Sequence, residues 1–150
     1  MTQTRSNTID VGRELADLEI EKRKLDQELG QLNWDLAQEL TQLAARSNDP
    51  APLMQAVNAL RSAKRYYTFE NAPLEHALIQ QAIADCLLTL GRRTGDKEAL
   101  KTARDAYRGA ITLASLLSDD SLREDLRQNY KLTQTLLGVR PPVRSLFTAA

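Results

Sequence analysis

The chain is short of the residues that carry most metal and nucleophilic chemistry. Its 150 residues include one cysteine and one histidine. A single cysteine excludes an internal disulfide and a cysteine metal cluster, and a single histidine excludes zinc sites built on paired histidines. We therefore expect no metal catalysis, and we predict neither a metal nor a cofactor.

Glycine, proline and aromatic residues are also scarce. The chain has 6 glycines, 5 prolines and 5% aromatic residues, so it lacks the material from which strands and hairpin turns are usually built. Its 42% hydrophobic and 27% charged residues are nevertheless typical of a folded protein. The composition predicts a single all-α domain.

No excess of either charge is present, because 20 basic residues balance 20 acidic ones. A neutral chain has no overall field that would attract nucleic acid. The amino terminus is polar, and no apolar run approaches the roughly 18 residues of a membrane span. We expect a cytoplasmic protein, from a bacterium, that binds neither nucleic acid nor membrane.

Apolar residues at steps of three and four predict about five helices, of which the first is the longest. Breaks are predicted near residues 48–50, 71–73, 92–96 and 118–121. Asp96 is a suitable N-cap for the fourth helix, and Ser121 with Glu124 has capping-box spacing for the fifth. Residues 1–10 are predicted to be a disordered amino terminus and residues 139–150 a flexible tail.

The first helix, predicted over residues 11–45, carries a heptad pattern. If Leu15 is an a position, Lys22 interrupts the seam at the next a position. Such a helix would be roughly 52 Å long, so its first half should overhang the domain. We expect residues 11–25 to pair with a second copy as a homodimer and residues 26–46 to be covered by the chain's own repeats. The apolar stripe consists of Val11, Leu15, Leu18, Leu25, Leu29, Leu32, Leu36, Leu40 and Leu43.

The only tryptophan, Trp34, falls at an f position, opposite this seam. Tryptophan is enriched among the residues that dominate binding energy at interfaces. Trp34 is therefore a candidate partner-binding residue, unless another helix of the chain covers it.

The sequence matches itself after a shift of 47 residues. The pattern predicts two and a half helical hairpins, each covering the apolar face of its neighbour. Gly91 and Ala103, both small, are expected to face each other across the second hairpin. The matched pairs are Leu40 and Leu87, Leu43 and Leu90, Ala44 and Gly91, Asp49 and Asp96, Leu53 and Leu100, Ala56 and Ala103, Leu60 and Tyr107, and Ala63 and Ala110.

The second hairpin resembles the tetratricopeptide repeat family, in a long-helix variant whose repeat of 47 residues exceeds the usual repeat of about 34. The resemblance implies that residues 11–138 form antiparallel hairpins stacked as a short superhelix. It also implies a non-enzymatic scaffold or adaptor that holds a peptide or helix on a concave surface, lined by the first helix of each hairpin. The residues that carry the resemblance are Leu87, Leu90, Gly91, Ala103, Tyr107 and Ala110.

On that concave surface the repeat register predicts a groove of mixed polarity. Its candidate partner-binding residues, besides Trp34, are Gln38, Thr41, Gln42, Asp85, Leu88, Thr89, Arg92 and Thr135.

The fourth helix carries a basic stripe at steps of four, three and four. This stripe is either a dock for an acidic partner or a solvated face with local ion pairs such as Glu98 with Lys101. Its members are Lys97, Lys101, Arg104 and Arg108.

His76 raises an alternative of a different class, a phosphotransfer or response module that uses this histidine. The residues that follow it are Ala77, Leu78 and Ile79, without the nearby lysine that such a site requires, so a structural role competes with this interpretation. Cys86 lies on an apolar face, where a thiol behaves as a small buried apolar group.

The last residues, which end in Ala149 and Ala150, resemble the carboxyl-terminal signals that bacterial energy-dependent proteases recognise. The alternative is a short apolar ending without such a role.

Overall fold

A computed structural model describes the backbone of residues 3–138 and the side chains of residues 10–138. Within this range the protein is all-α and has no strand, as predicted. The predicted tail at 139–150, with Ala149 and Ala150, lies outside the described residues, as do residues 1 and 2 and the side chains before Asp10. The helices are α1 (Gln3–Ser47), α2 (Ala51–Tyr66), α3 (Pro73–Thr94), α4 (Lys97–Leu116) and α5 (Asp120–Leu136). The first helix thus begins before its predicted start.

Aspartate side chains cap two of the helices. At the start of α4, Asp96 accepts hydrogen bonds from two backbone N–H groups, at 2.9 and 3.3 Å, as its position in the sequence predicted. At the start of α5, Asp119 accepts a bond of 3.0 Å from a backbone N–H. The predicted capping box of Ser121 and Glu124 is wrong, because Asp119 already supplies the acceptor and the helix begins before Ser121.

The helices pack as consecutive hairpins. Each contacts the next one along the chain, and α3 also contacts α5. The helices α1 and α3 approach each other less closely, and a groove lies between them.

The same core is built twice, 47 residues apart. The first helix of each hairpin ends at corresponding positions, Ser47 and Thr94. Equivalent side chains are buried in both hairpins, which supports the internal repeat found in the sequence. The buried pairs are Ala44 and Gly91, Leu53 and Leu100, Ala56 and Ala103, Leu60 and Tyr107, and Ala63 and Ala110.

Helix α1 packs against the protein by a face other than the predicted apolar stripe. Its buried residues are Gly30, Ala37 and Ala44, which are spaced by seven and allow close approach of the neighbouring helices. A Cβ atom on Gly30 would lie 2.9 Å from the Cβ atom of Tyr66 in α2. The prediction that the chain covers the seam over residues 26–46 is therefore wrong for the leucines that remain 44–63% exposed, which are Leu29, Leu32, Leu36 and Leu43.

The sequence had suggested that Gly91 faces Ala103. In the structure, the close contact at Gly91 is with the side chain of Leu100. A Cβ atom at Gly91 would lie 2.5 Å from two carbon atoms of the Leu100 side chain. Leu100 is 5% exposed, so it has little room to move away. Both helices of the second hairpin therefore depend on glycine at position 91.

Replacing Gly91 with Ala should destabilise the protein by about 1–2 kcal/mol, because overpacking outweighs the better helix propensity of alanine. Gly109→Ala is the matched control, since that helical glycine has its nearest foreign atom at 3.7 Å. The control should stabilise by about 0.5–1 kcal/mol. Chemical denaturation of both variants measures the difference, and two shifts of the same sign would contradict this packing.

Candidate functional site

A groove of about 520 Å³ lies between α1 and α3, and two residues of α2 complete its lining. It combines apolar and polar side chains, the composition expected of a surface that binds a peptide or small ligand. Its lining residues are Trp34, Ala37, Gln38, Thr41, Gln42, Ala44, Ala45, Leu53, Leu60, Ala82, Asp85, Cys86, Thr89 and Arg93.

Most of the predicted groove residues come together here, namely Trp34, Gln38, Thr41, Gln42, Asp85 and Thr89. Three others do not. Leu88 is 7% exposed and lies in the hydrophobic core, and Arg92 and Thr135 are exposed but do not line the groove. The groove face of α3 follows steps of four residues from Asp85 to Arg93, and the two misplaced residues of α3 each precede a member of that row by one position.

Arg93 was not predicted from the sequence. Its guanidinium donates a hydrogen bond of 2.9 Å to the backbone carbonyl of Ala44, which bridges α3 and α1 at one end of the groove. The repeat register had placed the neighbouring Arg92 in the groove instead. No signal in the sequence shows which of two consecutive arginines near a helix end faces the groove.

Asp85 forms the polar floor of the groove and also links three helices. Its carboxylate accepts hydrogen bonds from the hydroxyl of Tyr107 in α4 and from the amide of Asn129 in α5, the latter at 3.4 Å. Burial raises the pKa of Asp85, and the two hydrogen bonds offset this only in part. Burial and the neighbouring carboxylate raise the pKa of Tyr107 as well, so this hydroxyl remains a donor.

Cys86 lies beside the floor. Its Sγ atom is 3.7 Å from the hydroxyl oxygen of Thr41, across the space between α3 and α1. Burial raises the pKa of the Cys86 thiol, the contact with Thr41 lowers it, and the charge of Asp85 raises it further. A thiol with a raised pKa is a poor nucleophile, so this environment is typical of a packing residue.

Trp34 lies at the end of the groove and faces the body of the protein. Its ring meets that of Tyr67 edge to face, with centroids 5.5 Å apart. The apolar stripe of leucines at the a and d positions of α1 points to solvent. The f position of Trp34, on the opposite side of the helix, therefore points inward. Trp34 is half-buried, so it serves the packing of α1 as well as the groove.

The basic stripe lies on α4, and none of its four residues lines the groove. Lys101 pairs with Glu98 at 3.0 Å, as the local interpretation predicted. Arg104 contacts Asp105 at 3.3 Å, and Arg108 donates to the hydroxyl of Tyr130 at 3.2 Å. These contacts favour a solvated face over a dock. The stripe comprises Lys97, Lys101, Arg104 and Arg108.

His76 holds the loop between α2 and α3. Its Nδ1 atom lies 2.8 Å from the backbone carbonyl of Tyr67, and its ring meets that of Phe69 edge to face. A ring nitrogen bonded to a carbonyl carries the proton, so Nδ1 acts as a donor in this arrangement. These contacts give His76 a structural role in the loop.

Within residues 3–138, no helix combines the length and apolar content needed to cross a membrane. In the same part of the chain, no group of three or more histidine, cysteine, aspartate or glutamate side chains is arranged to hold a metal ion.

Comparison with protein-family models, with curated proteins and with solved structures gave no match for this chain.

Proposed function

We propose that this protein is a non-enzymatic interaction scaffold or adaptor that holds a peptide or short helix of a partner in the groove between α1 and α3. The observation that carries the proposal is the gathering of Trp34, Gln38, Thr41, Gln42, Asp85 and Thr89 around one groove of about 520 Å³. Apolar walls supply burial, and the exposed amides of Gln38 and Gln42 are free to bond a peptide backbone.

The floor of the groove suits binding better than chemistry. Asp85 is already committed to two donors, and the environment of Cys86 disfavours the thiolate. A ligand would therefore meet preformed walls held by contacts between helices, which reduces the conformational entropy lost on binding.

A groove-filling variant tests this proposal. Peptides would be selected from a phage-displayed random library on the wild-type protein, and their affinities measured by fluorescence anisotropy. Ala45→Phe should weaken binding by about tenfold or more, because the ring occupies space that the peptide needs. Ala45 is exposed and lines the groove, so the substitution should leave the core intact.

Ala51→Phe is the matched control, because Ala51 is equally an exposed alanine and lies outside the groove lining. It should leave peptide affinity unchanged. Equal affinities for both variants, or a library that yields no binder, would contradict the proposal. Thermal melting of both variants would establish that each is folded.

A further inference from the structure

A second surface lies on a different face of α1 from the groove. We define the leucine seam as the apolar a and d positions of α1 over residues 11–36, a length of about 38 Å. All of its members are 44–63% exposed. An apolar stripe of this size on a soluble protein is typical of an interaction site. The members are Val11, Leu15, Leu18, Leu25, Leu29, Leu32 and Leu36.

The internal repeat indicates what kind of element covers such a face. In the second hairpin the equivalent side chains on α3 are 0–8% exposed, and they lie in cores shared with α2 of the preceding hairpin. In the first hairpin the same positions are 47–63% exposed, since no preceding hairpin exists among the described residues. A helix is therefore the shape that fits. The equivalent pairs are Leu32 and Ile79, Leu36 and Ile83, and, at the next a position beyond the seam, Leu43 and Leu90.

The charges beside the seam are all of one sign. Between residues 12 and 35, the e and g positions hold six acidic residues, one glycine and one asparagine, with no basic residue. Residues at e and g set the choice of partner in a coiled coil. None of these carboxylates forms a salt bridge within the part of the chain that the structure describes. The six are Glu14, Glu19, Glu21, Asp26, Glu28 and Asp35.

These charges disfavour the second copy that the sequence had suggested. A parallel pair would place Glu21 against Asp26 and Lys22 against Lys22. An antiparallel pair that keeps the leucines in register would place Glu21 against Glu28 and Glu19 against Asp26. Both orientations set like charges opposite each other, which destabilises the pair.

The last helix of a second copy is also a poor match for the seam. On α5 the large hydrophobic residues that are exposed are Leu132 and Leu136. The 17 residues of α5 extend about 26 Å, so they would leave part of the seam uncovered.

We propose that the leucine seam binds an amphipathic helix of a different protein, one with apolar a and d positions and with lysine or arginine at e and g. Opposite Lys22 this helix should carry an acidic or polar residue, because Lys22 occupies an a position within the seam. Buried leucines supply the affinity, and the acidic flanks select the partner and exclude self-pairing.

Two designed peptides of four heptads test the proposal. They share leucines at a and d and an acidic residue to meet Lys22, but one has lysine at e and g and the other has glutamate. Fluorescence anisotropy with the full chain should show the basic peptide binding about tenfold or more tightly than the acidic one, and added salt should reduce this ratio.

Two variants of the full chain separate burial from charge. The double substitution Leu18→Gln and Leu25→Gln should abolish binding of the basic peptide. The triple reversal of Glu14, Glu21 and Glu28 to Lys leaves three carboxylates and three lysines at the e and g positions, so it should instead abolish the preference for the basic peptide. All five positions are exposed, so circular dichroism and melting should change little.

Three results would overturn the proposal. Equal affinity for both peptides would mean that the flanking charges do not select the partner. Absence of binding by either peptide would mean that the seam is not a helix dock. Sedimentation of the wild-type chain as a dimer, converted to a monomer by the leucine substitutions, would identify a second copy as the occupant. None of these results affects the groove, which the Ala45→Phe variant tests separately.

Discussion

Replacing Trp34 with alanine is expected to lower the free energy of unfolding by about 2–3 kcal/mol. The indole packs edge to face against Tyr67 and contacts the main hydrophobic core, so truncation removes buried apolar surface and leaves a cavity. Because Trp34 is half-buried, the effect should fall below that of a fully buried aromatic residue. Urea denaturation followed by circular dichroism measures the change.

Leu32→Ala is the control for this experiment. Leu32 lies only two residues away but is 63% exposed, so its truncation should change stability by no more than about 0.5 kcal/mol. The pair of variants therefore reports which face of α1 meets the protein. A larger loss for Leu32→Ala than for Trp34→Ala would mean that α1 packs by its leucine seam.

Trp34 contributes to the groove wall and to the packing of α1, so a substitution there does not probe the groove alone. Loss of the indole would remove part of the groove wall and also loosen α1. A change in peptide affinity would then have two causes. A side chain added at Ala45 changes the space in the groove alone.

Asp85→Ala is expected to destabilise the protein by about 2 kcal/mol. The substitution removes the acceptor for the hydroxyl of Tyr107, which is fully buried, and for the amide of Asn129. A buried donor without a partner loses its hydrogen bonds to water and gains none in the protein. Loss of the partly buried charge offsets some of this cost. Thermal and urea unfolding both measure the result.

Asp85→Asn is the matched control, since its amide oxygen can accept both hydrogen bonds without a charge. This variant should be as stable as the wild type or more stable at neutral pH. An equal loss for the two variants would mean that the hydrogen bonds are not what makes Asp85 important.

The pH dependence of stability gives a second test of Asp85. Burial raises its pKa in the folded state above the ordinary value, so the folded protein keeps this proton at pH values where the unfolded chain has lost it. The stability of the wild type relative to Asp85→Asn should therefore fall as the pH rises from the ordinary aspartate pKa to the raised one, and stay constant above it. A relative stability that rises over this range would contradict the burial of the carboxyl group.

Most helix boundaries could be predicted from local sequence signals such as capping residues. The α3–α4 boundary follows from the cap at Asp96, whose side chain needs only the next backbone amides to act. The packing of the second hairpin could be predicted only in part from the sequence. Gly91 marked a close approach, but its neighbour Leu100 lies three residues before the expected Ala103 because the crossing of the two helices decides which side chains meet.

The candidate groove was predicted in part for the same reason. Repeat register places Asp85 and Thr89 on one face of α3, since residues four apart share a face. Register alone did not separate Arg92 from Arg93, and it placed Leu88 in the groove when it lies in the core. Such small rotations of a helix depend on the contacts made by its other side.

The sequence by itself determined the helical class, the number of helices, the repeat of 47 residues and the heptad seam of α1, because each depends on local propensity and on the spacing of apolar residues. Only the tertiary structure decided which face of α1 is buried. Large leucines would ordinarily be expected inside, but Gly30, Ala37 and Ala44 let α1 approach its neighbours more closely than leucines would. Trp34 lies on the buried side of α1. The leucine seam remains at the surface, where its acidic flanks can contact a partner.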